Sequence, residues 1–134
     1  MGSKILMIEH DPDDRWLTDE TFQAEGMGDG VEFIYANELP VYLAYADNRP
    51  PLILLTLHTH PVNGLELIRE IRQSKGYEKV PVVVLGESAL QEEVASCYAA
   101  GATSYIKKPS SYSETLFKIK SFINYWFHTV ELPA

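Results

Sequence analysis

Short apolar runs alternate along this chain with longer segments of helical period. Ile5-Leu6-Met7-Ile8 is apolar throughout and stops at Glu9-His10-Asp11-Pro12. Asp13 to Glu25 then reads as a helix, ended by the glycine-rich Gly26-Met27-Gly28-Asp29-Gly30. Val31 to Ala36 forms a second strand, after which Asn37 is placed to cap a helix with Pro40 in its first turn. Arg49-Pro50-Pro51 breaks the chain before a third strand, Leu52-Ile53-Leu54-Leu55. Thr56 to Gly64 reads as a loop and Leu65 to Arg72 as an amphipathic helix. Val80 to Leu85 is the fourth strand, and Glu87 to Ala100 the fourth helix, closed by Gly101. Thr103 to Ile106 is a short fifth strand, and a last helix runs from Ser113 to Phe127, with Leu116, Ile119, Ile123 and Trp126 as its apolar stripe.

Strands that are apolar on both faces, instead of alternating, suit a sheet covered on both sides. Strands and helices in strict alternation give right-handed crossovers. The expected fold is therefore an α/β, doubly wound (βα)5 architecture with a five-stranded parallel sheet. Ligands in such folds sit beyond the C-terminal strand edges. Those edges are Glu9-His10-Asp11, Thr56 to His60, Gly86-Glu87 and Lys107-Lys108-Pro109.

The 134 residues suit one domain, expected over residues 1–134. Nineteen acidic residues against eleven Lys and Arg give a formal charge of -8. That balance argues against a phosphate backbone or an anionic membrane as partner, because both are bound through cations. Cys97 is the only cysteine, which excludes an intrachain disulfide and a cysteine-cluster metal site. No apolar run approaches 18 residues, and Met1-Gly2-Ser3-Lys4 lacks the apolar core of a signal peptide, so a cytoplasmic location is expected.

At its strand edges the sequence resembles the receiver domain of two-component response regulators, a resemblance that implies flavodoxin-like topology for the sheet. The resemblance is carried by Ile5 to Asp14, Pro51-Leu52-Ile53-Leu54-Leu55-Thr56-Leu57, Asn63-Gly64-Leu65-Glu66, Pro81 to Leu85, and Gly101 to Pro109. It implies two adjacent acids holding Mg²⁺ and an aspartate that takes a phosphoryl group from a histidine kinase. It further implies a Ser or Thr and a Lys that bind the phosphoryl oxygens. In the family the hydroxyl residue moves toward the phosphoryl group and an aromatic residue then turns inward.

Carried over by position, Glu9 stands at the first acidic place and His10 replaces the second acid. Thr56 stands where the acceptor belongs, Gly86 replaces the hydroxyl residue, Lys108 matches outright, and Tyr105 matches the aromatic switch. From Pro51 to Val62 there is neither Asp nor Glu. A threonine hydroxyl is a poor nucleophile without a base and cannot form an acyl phosphate. Mg²⁺ prefers hard oxygen ligands, so imidazole and hydroxyl in place of two carboxylates impair its site. Glu9, His10 and Asp11 remain as weak metal candidates, and no cofactor is expected. Lys108, with no aspartate at 56, is expected to pair with Glu9 or Glu87.

His10, His58 and His60 fall at one predicted edge, where loop histidines on a solvated rim are expected over a Zn²⁺ site. Cys97 reads as a half-buried helix residue and not as a nucleophile. The acidic first loop, lacking glycine, would repel a nucleotide phosphate. Trp16, Phe117 and Tyr125 fall off their helices' apolar stripes and are candidates for a contact surface. The reading is a non-enzymatic pseudo-receiver acting by protein–protein interaction with a histidine kinase, another regulator or a second copy of itself. The alternative is a regulator switched by metal, proton or small ligand at the altered pocket, with His10 as a candidate proton sensor.

Overall fold

The continuous apolar runs become the strands of one parallel sheet in the computed structural model, which describes residues 4–45, 49–59 and 62–133. In chain order the elements are β1 (Ile5–Ile8), α1 (Pro12–Ala24), β2 (Val31–Ile34), a 3₁₀ turn (Ala36–Glu38), α2 (Leu39–Tyr45), β3 (Ile53–Thr56), α3 (Gly64–Gln73), β4 (Val82–Gly86), α4 (Gln91–Ala100), β5 (Ser104–Lys107) and α5 (Tyr112–His128). The strand order is β2-β1-β3-β4-β5 with every pair parallel, the doubly wound topology expected from the alternation.

Side chains alternate between the two faces of each strand, and the core divides accordingly. Leu6, Ile8, Ile53, Leu55, Val82 and Val84 face one layer with Leu67, Ile68 and Ile71 of α3 and Cys97 of α4. Ile5, Met7, Leu54 and Val83 face the other with Phe22 of α1 and Phe122 and Ile123 of α5. Phe22 packs against Phe122 and Phe127 at ring separations of 6.5 and 6.3 Å. Phe122 is more deeply buried than the expected stripe residues Leu116, Ile119 and Trp126, which are only half-buried.

Several boundaries differ from the sequence reading for identifiable reasons. Asn37 caps no helix. It lies within the 3₁₀ turn, whose first residues are held by the Tyr35 amide donating to the Glu38 carboxylate at 2.6 Å. The fourth helix starts at Gln91 and not at Glu87, because Ser88 is drawn into a turn where its hydroxyl accepts from the Leu90 amide and its carbonyl accepts from Tyr105. Thr56, read as loop, closes β3, and Gly86 closes β4.

At the opposite end of the sheet, Arg72 donates to the carbonyls of Tyr77, Val80 and Gly101, tying α3 to the start of β4 and the end of α4. Burial lowers its pKa, yet a guanidinium remains charged throughout the neutral range. Tyr42 packs beside this core, where burial and then the Glu32 charge push its hydroxyl up to about 12. Tyr77 is raised too, chiefly by burial.

Candidate functional site

The two-residue period that sorts the core also decides which residues meet beyond it. Met7 and Glu9 of the first segment, Leu54 and Thr56 of β3, and Ile106 and Lys108 of the last continue onto the face covered by α1 and α5. Glu9 is 1% exposed, and Thr56 is buried beside it. A buried carboxylate is tolerable only when its oxygens are hydrogen-bonded and its charge is matched.

Here all of that is supplied internally. Oε1 of Glu9 accepts from the Thr56 hydroxyl at 2.5 Å and from Lys108 Nζ at 2.9 Å. Oε2 accepts from the backbone amides of His10 and Asp11 at 3.1 and 3.2 Å. Lys108 also donates to Asp14 at 2.8 Å. Its ammonium thus bridges the end of β1 and the first turn of α1. The expected Lys108–Glu9 pair forms, whereas Glu87 is exposed in the loop after β4 and takes no part.

Asp14 is the member that sequence reasoning missed. It sits in the first turn of α1, where an acid is ordinary for dipole reasons. Asp11, a weak metal candidate, is occupied as the N-cap of α1, accepting from the amides of Asp13 and Asp14. Arg15 braces the same corner, with Nε donating to the Glu9 carbonyl and its guanidinium 4.2 Å from the Tyr35 ring centre.

His10 is half-exposed, with Nδ1 3.8 Å from Glu9 Oε2. His58 turns away to Glu93 of α4 at 3.1 Å. His60 lies outside the described residues. Among the described residues no three His, Cys, Asp or Glu converge as a metal centre. Cys97 is fully buried in α4, more deeply than expected, and burial pushes its thiol up and away from reactivity.

Gly86 and Tyr105 project to the opposite face of the sheet. Tyr105 packs on the α3–α4 layer and its hydroxyl donates to the Ser88 carbonyl at 2.5 Å. The ring occupies the space a side chain at 86 would need, since a Cβ built there would lie 1.8 Å from the tyrosine oxygen. The aromatic residue is therefore inward.

Burial tends to lower the Lys108 pKa, but the Asp14 hydrogen bond and the Glu9 charge and hydrogen bond together raise it above 10.5. Tyr105 is also raised, by burial and then by Glu93. Raised groups of either type keep their protons longer folded than unfolded, so their stabilisation is complete below pH 10 and lost as pH climbs. Urea midpoints are expected to hold up to about pH 9 and then fall steeply toward pH 12. A midpoint unchanged across that alkaline window would contradict these assignments.

Two of the three aromatic contact candidates meet at one groove. Phe117 and Tyr125, 70% and 50% exposed, line a shallow groove with Ser121, Trp126 and the outer edge of β5. Trp16 is exposed on α1 and does not line that groove.

Residues 5–120 match the response regulator receiver domain. The response regulator Rcp1 of Synechocystis is 33% identical over 86 residues, covering 64% of this chain and 58% of that protein. The solved structure of the phosphorylated cyanobacterial phytochrome response regulator RcpA superposes with a TM-score of 0.89 at 26% identity, covering all of both chains. The Mn²⁺-bound form of Rcp1 superposes with a TM-score of 0.87 at 25% identity, over 98% of this chain and 99% of that one.

Proposed function

This chain belongs to the response regulator receiver family of two-component signalling, and from that membership we propose that it is a pseudo-receiver working by phosphorylation-independent protein contact. The observation that carries the reading is the internal closure of the pocket. Thr56, at the end of the central strand, spends its hydroxyl on Glu9, and Lys108 supplies the positive charge.

RcpA has been solved phosphorylated and Rcp1 with Mn²⁺. The residues present here do not fit a divalent cation. Both oxygens of Glu9 already accept two donors each, Asp11 is engaged as a helix cap, and Thr56 and His10 supply no second or third carboxylate. A hard cation would have to displace an ammonium from a buried carboxylate and would gain few anionic oxygens in return. Neither a phosphoryl transfer step nor a cofactor is assigned to this pocket.

The output is a surface. The groove formed by Phe117, Tyr125 and the β5 edge offers exposed aromatic rings of the kind that anchor protein partners. Its occupant in this reading is a histidine kinase, another regulator or a second copy of the chain, not nucleic acid or membrane.

Incubation with acetyl phosphate and Mg²⁺ tests the proposal. Intact mass is expected to stay unchanged, and beryllofluoride with Mg²⁺ is expected to leave the intrinsic fluorescence unaltered. A stable gain of one phosphoryl group, mapped to any residue at the strand edges, would overturn it.

A further inference from the structure

Beneath the Glu9–Lys108–Asp14 cluster lies a cavity of about 90 Å³ between α1, α5 and the sheet. Met7, Leu54, Leu85 and Ile106 form its floor, and Phe22, Ile119 and Phe122 its helical walls. It exists because the helices present short side chains here. Thr18 of α1 and Thr115 of α5 face the gap one or two turns before the aromatic packing of Phe22 with Phe122 and Phe127 closes it. Its lining is mostly apolar, but it opens to solvent and also carries Glu9, Asp14, Lys108 and Lys118, so it suits a guest with an apolar body and a polar end.

The size and mouth restrict that guest. An engineered cavity of about 150 Å³ holds benzene, so the space here suits about four carbon atoms in a compact, branched arrangement. Of the two lysines at the mouth, Lys108 is matched by Glu9 and Asp14. Lys118 donates to the Lys107 carbonyl at 2.7 Å and has no carboxylate partner among the described residues.

We propose that this cavity is a binding site for a short branched-chain carboxylate, with the alkyl group among Leu85, Ile106 and Ile119 and the carboxylate on Lys118. The cavity adjoins Glu9, Asp14 and Lys108, but the proposal rests on its apolar lining and on Lys118 and not on the closure of Thr56, Glu9 and Lys108. Its failure would therefore leave the proposed mode of action untouched, just as a phosphorylated chain would not remove the cavity.

Isovalerate is the probe, titrated against the full chain with ¹³C-labelled methyl groups followed by NMR. The Ile106 and Ile119 methyl signals are expected to shift with a dissociation constant on the order of 1 mM, as suits so small a ligand. Thr18→Leu, which fills the cavity, is expected to weaken binding at least tenfold, and Ile119→Phe supplies a second filled variant should the first fold poorly. Lys118→Gln is expected to weaken isovalerate about fivefold, the loss of one exposed charge pair, while 3-methylbutanol binds both proteins alike. No methyl shift at tens of millimolar isovalerate, or undiminished binding in both filled variants, would overturn the site. Equal affinity for isovalerate and isobutylamine would overturn the role of Lys118.

Discussion

Lys108→Met is expected to destabilise the fold by about 3 kcal/mol, with the urea midpoint falling at unchanged slope. Among the described residues the lysine is the one Lys or Arg whose side chain pairs with the Glu9 carboxylate, which is fully buried, and it also holds the partly exposed Asp14. Removing one partner of a buried pair leaves the other charge uncompensated, which typically costs about 3 to 5 kcal/mol. Glu9 retains the Thr56 hydroxyl and two backbone amides, which places the expectation at the lower end of that range. The added substitution Glu9→Gln removes the stranded charge, so the double variant should recover a good part of the loss. A cost under about 0.5 kcal/mol for Lys108→Met would class the bridge with ordinary surface pairs and remove the basis for a closed pocket.

The same cluster shows where sequence reading succeeds and where it stops. The strands were legible because a sheet buried on both faces demands uninterrupted apolar runs, and Ile5-Leu6-Met7-Ile8 or Val82-Val83-Val84 admit no other use. Glu9, Thr56 and Lys108 could be brought together from sequence through the receiver resemblance, since all three follow C-terminal strand ends, where such folds place their sites. Asp14 could not be singled out. An acid in a first helical turn is common for local reasons, and only the approach of Lys108, 94 residues away, gives it a second role. The start of α4 was misplaced for a related reason. Glu87-Ser88-Ala89-Leu90 is locally compatible with helix, but the Ser88 carbonyl is claimed by Tyr105 from the neighbouring strand. Trp16, Phe117 and Tyr125 were each rightly placed at the surface. That Phe117 and Tyr125 line one groove depends on how α5 is rotated against the sheet, which periodicity alone leaves open.

Gly86→Thr introduces the residue type that the receiver resemblance implies at this position, and it is expected to be destabilising by about 2 kcal/mol. Ordinarily a side chain replacing glycine inside a strand is favourable by roughly 0.5 to 1 kcal/mol, because glycine loses more backbone freedom on folding. The opposite sign follows from Tyr105. The new Cβ would lie 1.8 Å from its oxygen and 2.4 Å from its Cζ, so ring and side chain cannot share the space. Expelling the ring breaks its hydrogen bond to the Ser88 carbonyl and withdraws it from the α3–α4 layer. If the clash is the whole cause, Gly86→Thr should become neutral or stabilising in a Tyr105→Ala background. The two substitutions would then be coupled by about 2 kcal/mol, within the range observed for residues in contact. Additive effects in that cycle would mean that the ring is not held inward by the missing side chain. Coupling would mean that the absence of a side chain at Gly86 is what lets the Tyr105 ring sit inward with its hydroxyl on the Ser88 carbonyl.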